Sequence, residues 1–190
     1  MFKFHQFYAL LLAAGFIIGG LCGCSKDDKN GGNMTIKGTL ASTYQNWTYV
    51  GSTFSPYNSN ITGGKFSLTL SKPDDEDLAP LAEKYASEEV TVSPQNVNFA
   101  FAEFRVYINA TSRKIQLKDS QGLYTITVDY IYVDKNVTIT GTETWWDGDA
   151  IFDVKLKKGW NTWIEMRGNL HGDGYSITAN ESISPDAEWR

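Results

Sequence analysis

Apolar and polar residues alternate along most of the chain after Asn33, and the alternation is densest between Asn136 and Ser182. Val137, Ile139 and Gly141 alternate with threonines. Phe152, Val154 and Leu156 alternate with Asp153, Lys155 and Lys157, and Trp160, Thr162, Ile164 and Met166 alternate with Asn161, Trp163, Glu165 and Arg167. A period of two puts successive side chains on opposite faces of a strand, so this stretch predicts four half-buried strands. The breaks fall at Asp147-Gly148-Asp149, at Lys158-Gly159 and at Asn169 to Gly174, each with a glycine able to take the positive φ of a tight hairpin. Consecutive hairpins predict a four-stranded antiparallel meander. Its alternate turns would then share one end of the sheet, about 10 Å apart across two strand spacings.

The same reading places strands at Met34 to Leu40, Trp47 to Val50, Lys65 to Leu70, Val90 to Val92, Val97 to Ile108, Ile115 to Lys118 and Leu123 to Val133. Gly38 marks a bulge or a close approach in the first of these. Glu103 interrupts the alternation between Phe101 and Phe104, which predicts a bulge or short turn near Ala102. In the last, Tyr124, Ile126, Val128, Tyr130 and Tyr132 face one way and Thr125, Thr127, Asp129, Ile131 and Val133 the other. A strand apolar on much of both faces belongs in the middle of a sheet or under a covering element.

One helix is expected, from about Asp77 to Ala86. The acids Asp74 to Asp77 suit an electropositive helix start, Pro80 is tolerable only in the first turn, and Leu78, Leu81 and Tyr85 share a face. Calcium binding is a second reading of those acids, and the helix cap is preferred. The fold class is all-β: two antiparallel sheets of eight to ten strands packed as a sandwich with one short helix, or alternatively a lipocalin-like β-barrel. The expected core holds Phe66, Leu68, Ile126, Val128, Ile139, Phe152, Val154, Leu156 and Ile164.

Composition sharpens this picture. With 190 residues, 42% hydrophobic, the chain can build one sizeable core, and residues 34–190 read as a single domain. The formal charge is -5, and the first 23 residues carry only Lys3, so acids outnumber bases 22 to 16 beyond them. Phosphate binding needs a basic surface, which excludes a nucleic-acid partner. Both cysteines, Cys22 and Cys24, lie in the leader, which excludes a disulfide or a cysteine-ligated metal in the folded domain.

The leader runs from Lys3 and His5 into FYALLLAAGFIIGGL and ends Leu21-Cys22-Gly23-Cys24. It is too short an apolar run, too soon followed by charge, to span a membrane comfortably. Leu21, the small residues Cys22 and Gly23, and Cys24 resemble a bacterial lipoprotein signal. That resemblance implies removal of residues 1–23 and acylation of Cys24, the new N-terminus, whose thiol takes the diacylglycerol. Residues 24–33 form a polar, glycine-bearing tether. Its start, Cys24-Ser25-Lys26-Asp27-Asp28, resembles the export tag of Bacteroides-type surface lipoproteins, which implies an outer-membrane anchor facing the cell exterior. Ile36 to Leu40 and Thr62 to Leu68, with Gly64 and Phe66 before Leu68, resemble the opening of transthyretin-like (prealbumin-like) sandwich domains.

Catalytic chemistry is sparse. His171 is the one histidine beyond the leader, and Ser176 lies too close along the chain to serve as its nucleophile. There is no Gly-x-Ser-x-Gly, His-Glu-x-x-His, phosphate-cradling loop or dinucleotide fingerprint, and no cofactor is called for. The Asn-x-Ser/Thr sequences at Asn46, Asn60, Asn109, Asn136 and Asn180 read as strand edges. The expectation is a non-enzymatic surface binding module for a glycan or a neighbouring outer-membrane protein. A structural or adhesive subunit assembling through edge strands, and a carboxylate-pair glycosidase, are the alternatives. The candidate ligand-binding residues are Trp145, Trp146, Asp147 and Asp149 in one turn and His171 and Asp173 in the other. One tryptophan of the pair should be exposed, since Trp145 and Trp146 point to opposite faces. No metal ligand is proposed.

Overall fold

The computed structural model describes residues 32–121, 124–145, 148–168, 174–183 and 187–190. They form an all-β sandwich with one short α-helix. Strands β1 (Met34–Thr39) and β4 (Lys65–Leu70) make a two-stranded antiparallel sheet. Strands β2 (Tyr49–Ser52), β3 (Ser59–Asn60), β8 (Phe104–Ile108) and β9 (Thr111–Ile115) make a second, in the order β3-β2-β8-β9. The third sheet is large and strongly curled, like half a barrel. It contains β5 (Ala79–Pro80), β6 (Val90–Ser93), β7 (Asn98–Ala102), β10 (Leu117–Gln121), β11 (Tyr124–Val133), β12 (Val137–Trp145), β13 (Gly148–Leu156), β14 (Gly159–Gly168), β15 (Tyr175–Ala179) and β16 (Glu188–Trp189).

The order across the large sheet is β16-β10-β11-β14-β15-β13-β12-β6, with β7 also on β11. This corrects the expected meander. The last four strands are present, but β15 lies between β13 and β14, antiparallel to β14 and parallel to β13. At its vertex the wedge that admits β15 is closed by side chains in place of a ladder. Asn161, 2% exposed, accepts a hydrogen bond from the Lys157 backbone N–H at 3.0 Å and donates to the carbonyls of Lys157 at 2.7 Å and Gly159 at 2.9 Å. Asn180, held at φ 57, donates to Asn161 Oδ1 at 2.9 Å and accepts from the Thr162 N–H at 3.2 Å. Backbone groups that two splayed strands would leave unpaired are thereby satisfied.

Among the described residues there are two cores rather than one, and β11, with β14 beside it, is the wall between them. Its Ile131 and Val133 face the hollow of the curled sheet with Phe152, Val154, Leu156, Ile139 and Trp163, under Leu81 of helix α1 (Leu81–Tyr85). Its Val128 and Tyr130 face the two small sheets with Phe66, Leu68, Val106, Ile164 and Trp189. The doubly apolar pattern of this strand is explained by burial on both sides. Every residue of the expected core is buried except Ile126, which is partly exposed and packs at the margin of the second core.

Sixteen strands, not eight to ten, are found among the described residues, because long runs are cut where the chain changes sheet and three strands have two residues each. The irregularity expected near Ala102 is such a cut: β7 belongs to the large sheet and β8 to the four-stranded one, with Glu103 between them. The return crossing is at Gln116, between β9 and β10. The helix is shorter than Asp77 to Ala86. A proline disfavours helical backbone in the residue before it, so Ala79 stays extended; it and the extended Pro80 pair with β7, and α1 begins at Leu81. The acids Asp75–Asp77 form a separate 3-10 turn. Gly38 is a close approach, to a side chain: a Cβ there would run into the Trp189 indole.

Candidate functional site

Two features of the large sheet carry chemistry. The first is the end where β12 turns into β13 and β14 into β15. Because β13 and β15 are adjacent parallel strands, with Ala150 opposite Tyr175, the two turns start one strand apart rather than two. Gly174, at φ 73, sits so close to β13 that a Cβ on it would lie 2.6 Å from the Asp149 carbonyl oxygen. The described ends of the two turns, Asp149 and Gly174, are thus brought together through an inserted strand instead of a meander. Trp146, Asp147, His171 and Asp173 lie outside the described residues, as does Cys24.

Trp145 is the exposed tryptophan among those described, at 37%. Its ring meets Tyr175 edge-on at 5.0 Å and its indole N–H donates to Glu143 Oε2 at 3.1 Å. The Arg167 guanidinium stacks over Tyr175 at 5.1 Å. Asp149 is not part of this group. It pairs with Thr144 in the hairpin, on the opposite face from Trp145, and accepts from the Thr144 hydroxyl at 3.0 Å. The described rim is thus Trp145, Tyr175, Glu143 and Arg167.

The second feature follows from the two sheet crossings. One edge of β11 is paired by β10 as far as Val128 and by β7 from Tyr130 onward. Between them, opposite Asp129, the chain has left at Glu103 and returns at Gln116. The backbone of Glu103 bonds to Thr53 and that of Gln116 to Arg190, so neither closes the gap. What remains is a cavity of about 360 Å³. Asp129 and Glu165 face it, with Lys84, Tyr85, Phe101, Lys114, Gln116 and Trp163 among its lining. Pairing of Asp129 with Trp163 and of Thr127 with Glu165 puts both carboxylates on one face, diagonally across two strands.

Electrostatics mark the same spot. The Gln116 amide donates to both oxygens of Asp129, at 2.7 and 2.9 Å. Burial raises the Asp129 pKa, against the opposing pull of Gln116 and of Lys114, Lys118 and Lys84. Burial, reinforced by Asp129 and Glu165, likewise pushes the Tyr85 hydroxyl well above its ordinary range. The Lys84 ammonium lies over the ring of Phe101 at 5.1 Å and over Tyr85 and Phe99 at 5.5 Å. At the mouth, Glu103 accepts from Arg105 at 2.8 Å and pairs with Lys114 at 3.2 Å, and these two contacts hold its carboxyl below the usual range.

Such a lining offers carboxylate acceptors, ammonium and amide donors, and aromatic surface. Among the described residues no three His, Cys, Asp or Glu side chains converge as a metal site. The cavity was missed from the sequence, although two signals were there: Asp129 is the one charged residue of its strand, and Glu103 breaks an apolar alternation. What joins them is the pair of sheet crossings, which periodicity does not encode. Comparison with protein-family models, with curated proteins and with solved structures found no match.

Proposed function

We propose that the protein is a lipoprotein, anchored through acylated Cys24 in the outer membrane and facing outward, whose β-sandwich is a non-catalytic glycan-binding module. The observation that carries this reading is the rim in which the Trp145 ring, 37% exposed, stands beside Glu143 and against the buried Tyr175, whose face Arg167 covers. A sugar ring lays its C–H face on an aromatic plane while its hydroxyls donate to a carboxylate and accept from a guanidinium, so this combination matches both halves of its surface. The leader and the polar tether support the anchoring part. The transthyretin-like kinship belongs to the same proposal and draws support from the two strands that carry it, which pair with Gly38 opposite Phe66.

The test is a glycan array probed with the wild-type chain and with Trp145→Ala. Binding of at least one glycan class, reduced about tenfold or more by the substitution, is the expected outcome. An array with no signal, or a signal indifferent to Trp145, rejects the rim as the binding site.

A further inference from the structure

The cavity and the rim are not independent places on the surface. Strand β14 carries Trp163, Glu165 and Arg167 on one face. Trp163 is opposite Asp129 across β11, and Arg167 is opposite Tyr175 across β15. From the cavity floor to the rim is therefore four residues of one strand, about 13 Å, with Glu165 midway. Beside Glu165 and Arg167 on that face stand the half-buried Thr127 and Thr125 of β11. We propose that this face of β14 is a track for an extended glycan, with one sugar residue seated in the cavity against Asp129 and Glu165 and the following residues running along β14 to the Trp145 rim.

Charge decides the class of ligand in the cavity. Asp129 is half-buried, and its one hydrogen-bond donor among the described residues is the Gln116 amide. A carboxylate has about four lone-pair sites, so it retains acceptor capacity inside the cavity. Three lysines already act on it at range. The lining mixes signs, Lys84 and Lys114 against Glu103, Asp129 and Glu165, so a charged ligand of either sign brings unfavourable contacts along with favourable ones. A neutral donor of hydroxyl hydrogens is opposed by neither set. Tyr85 and Phe101, both partly exposed, supply apolar wall for the ring face. A cavity of about 360 Å³ is at the small end of ligand sites and suits a single ring rather than a chain. The rest of a longer ligand must leave it, and the β14 face is the side on which the rim stands.

This inference rests on the glycan reading, and a length series separates the two. The full chain, purified in detergent, is titrated calorimetrically with one to six residues of the glycan class that the array selects. Affinity should rise at least tenfold from the monosaccharide to the length that reaches the rim, and then level off. Glu165→Gln and Asp129→Asn, which keep side-chain volume, should each weaken the longest ligand about tenfold and abolish measurable binding of the monosaccharide. Trp145→Ala should weaken the long ligands while leaving the monosaccharide unchanged. Thermal melts followed by circular dichroism confirm that each variant is folded. If Trp145→Ala removes binding while Glu165→Gln and Asp129→Asn do not, and affinity is flat with length, the rim stands and the track is wrong. If no glycan binds at any length, both readings fall.

Discussion

Asp129 stands where neither β10 nor β7 pairs the edge of β11. Its carboxyl is pushed above the ordinary range by burial, so the ionised form is disfavoured in the folded chain relative to the unfolded one. By linkage, a raised folded pKa means stability that is complete in acid and lost as pH rises through that value. Asp129→Asn keeps an acceptor for Gln116 and removes the charge. It should raise the urea midpoint at pH 7 and change nothing at about pH 3, where the aspartate is protonated in both states. A loss of stability at pH 7 would mean that the carboxylate is structurally required. Residues that are retained at a cost in stability are where function is expected. This was partly legible: the one charged residue of a strand stands out in the sequence, but its partner Gln116 and its cavity neighbour Glu165, 13 and 36 positions away, do not. At the rim, Trp145 is exposed although it shares a face of β12 with the core residues Val137 and Ile139, so its exposure comes from its place at the strand end and not from alternation. Its partner was not legible either, because Glu143 rather than Asp149 shares its face.

At the scale of elements, strand existence was readable and strand order was not. Alternation located β4, β12 and β13 because each buries one face. The insertion of β15 depends on Asn161 and Asn180 satisfying backbone groups at the vertex, a matter of hydrogen-bond geometry that hydrophobic pattern cannot carry. β16 was invisible for a related reason: two residues have no period. Yet Trp189 is 1% exposed and packs against Phe104 at 4.7 Å, Phe66 at 5.4 Å and Tyr130 at 6.1 Å. Its neighbour Arg190 exchanges two backbone hydrogen bonds with Gln116, each 3.0 Å. Trp189→Ala should cost about 3 to 5 kcal/mol, read from urea denaturation. A loss below about 1 kcal/mol, within the range of an ordinary surface substitution, would show that this strand is an appendage to the second core.

For the molecule as a whole, the two cores and the strands they share make one body in which the cavity and the rim both border β14. The all-β class followed from alternation, turn glycines and the scarcity of helical periodicity. The split into two cores did not, since a strand buried on both faces reads alike in the middle of one core or between two. Among the described residues no helix is long and apolar enough to cross a membrane, so on this account attachment falls to the lipid on Cys24. Presentation of a glycan site at the cell surface is the central claim, and intact cells incubated with a fluorescent glycan from the array test it directly. Cells making the wild-type chain should retain the label, whereas cells making Cys24→Ser or Trp145→Ala, at equal protein level, should fall to the background of cells lacking the chain. Wild-type cells at that background, or equal labelling of the Cys24→Ser cells, would contradict it.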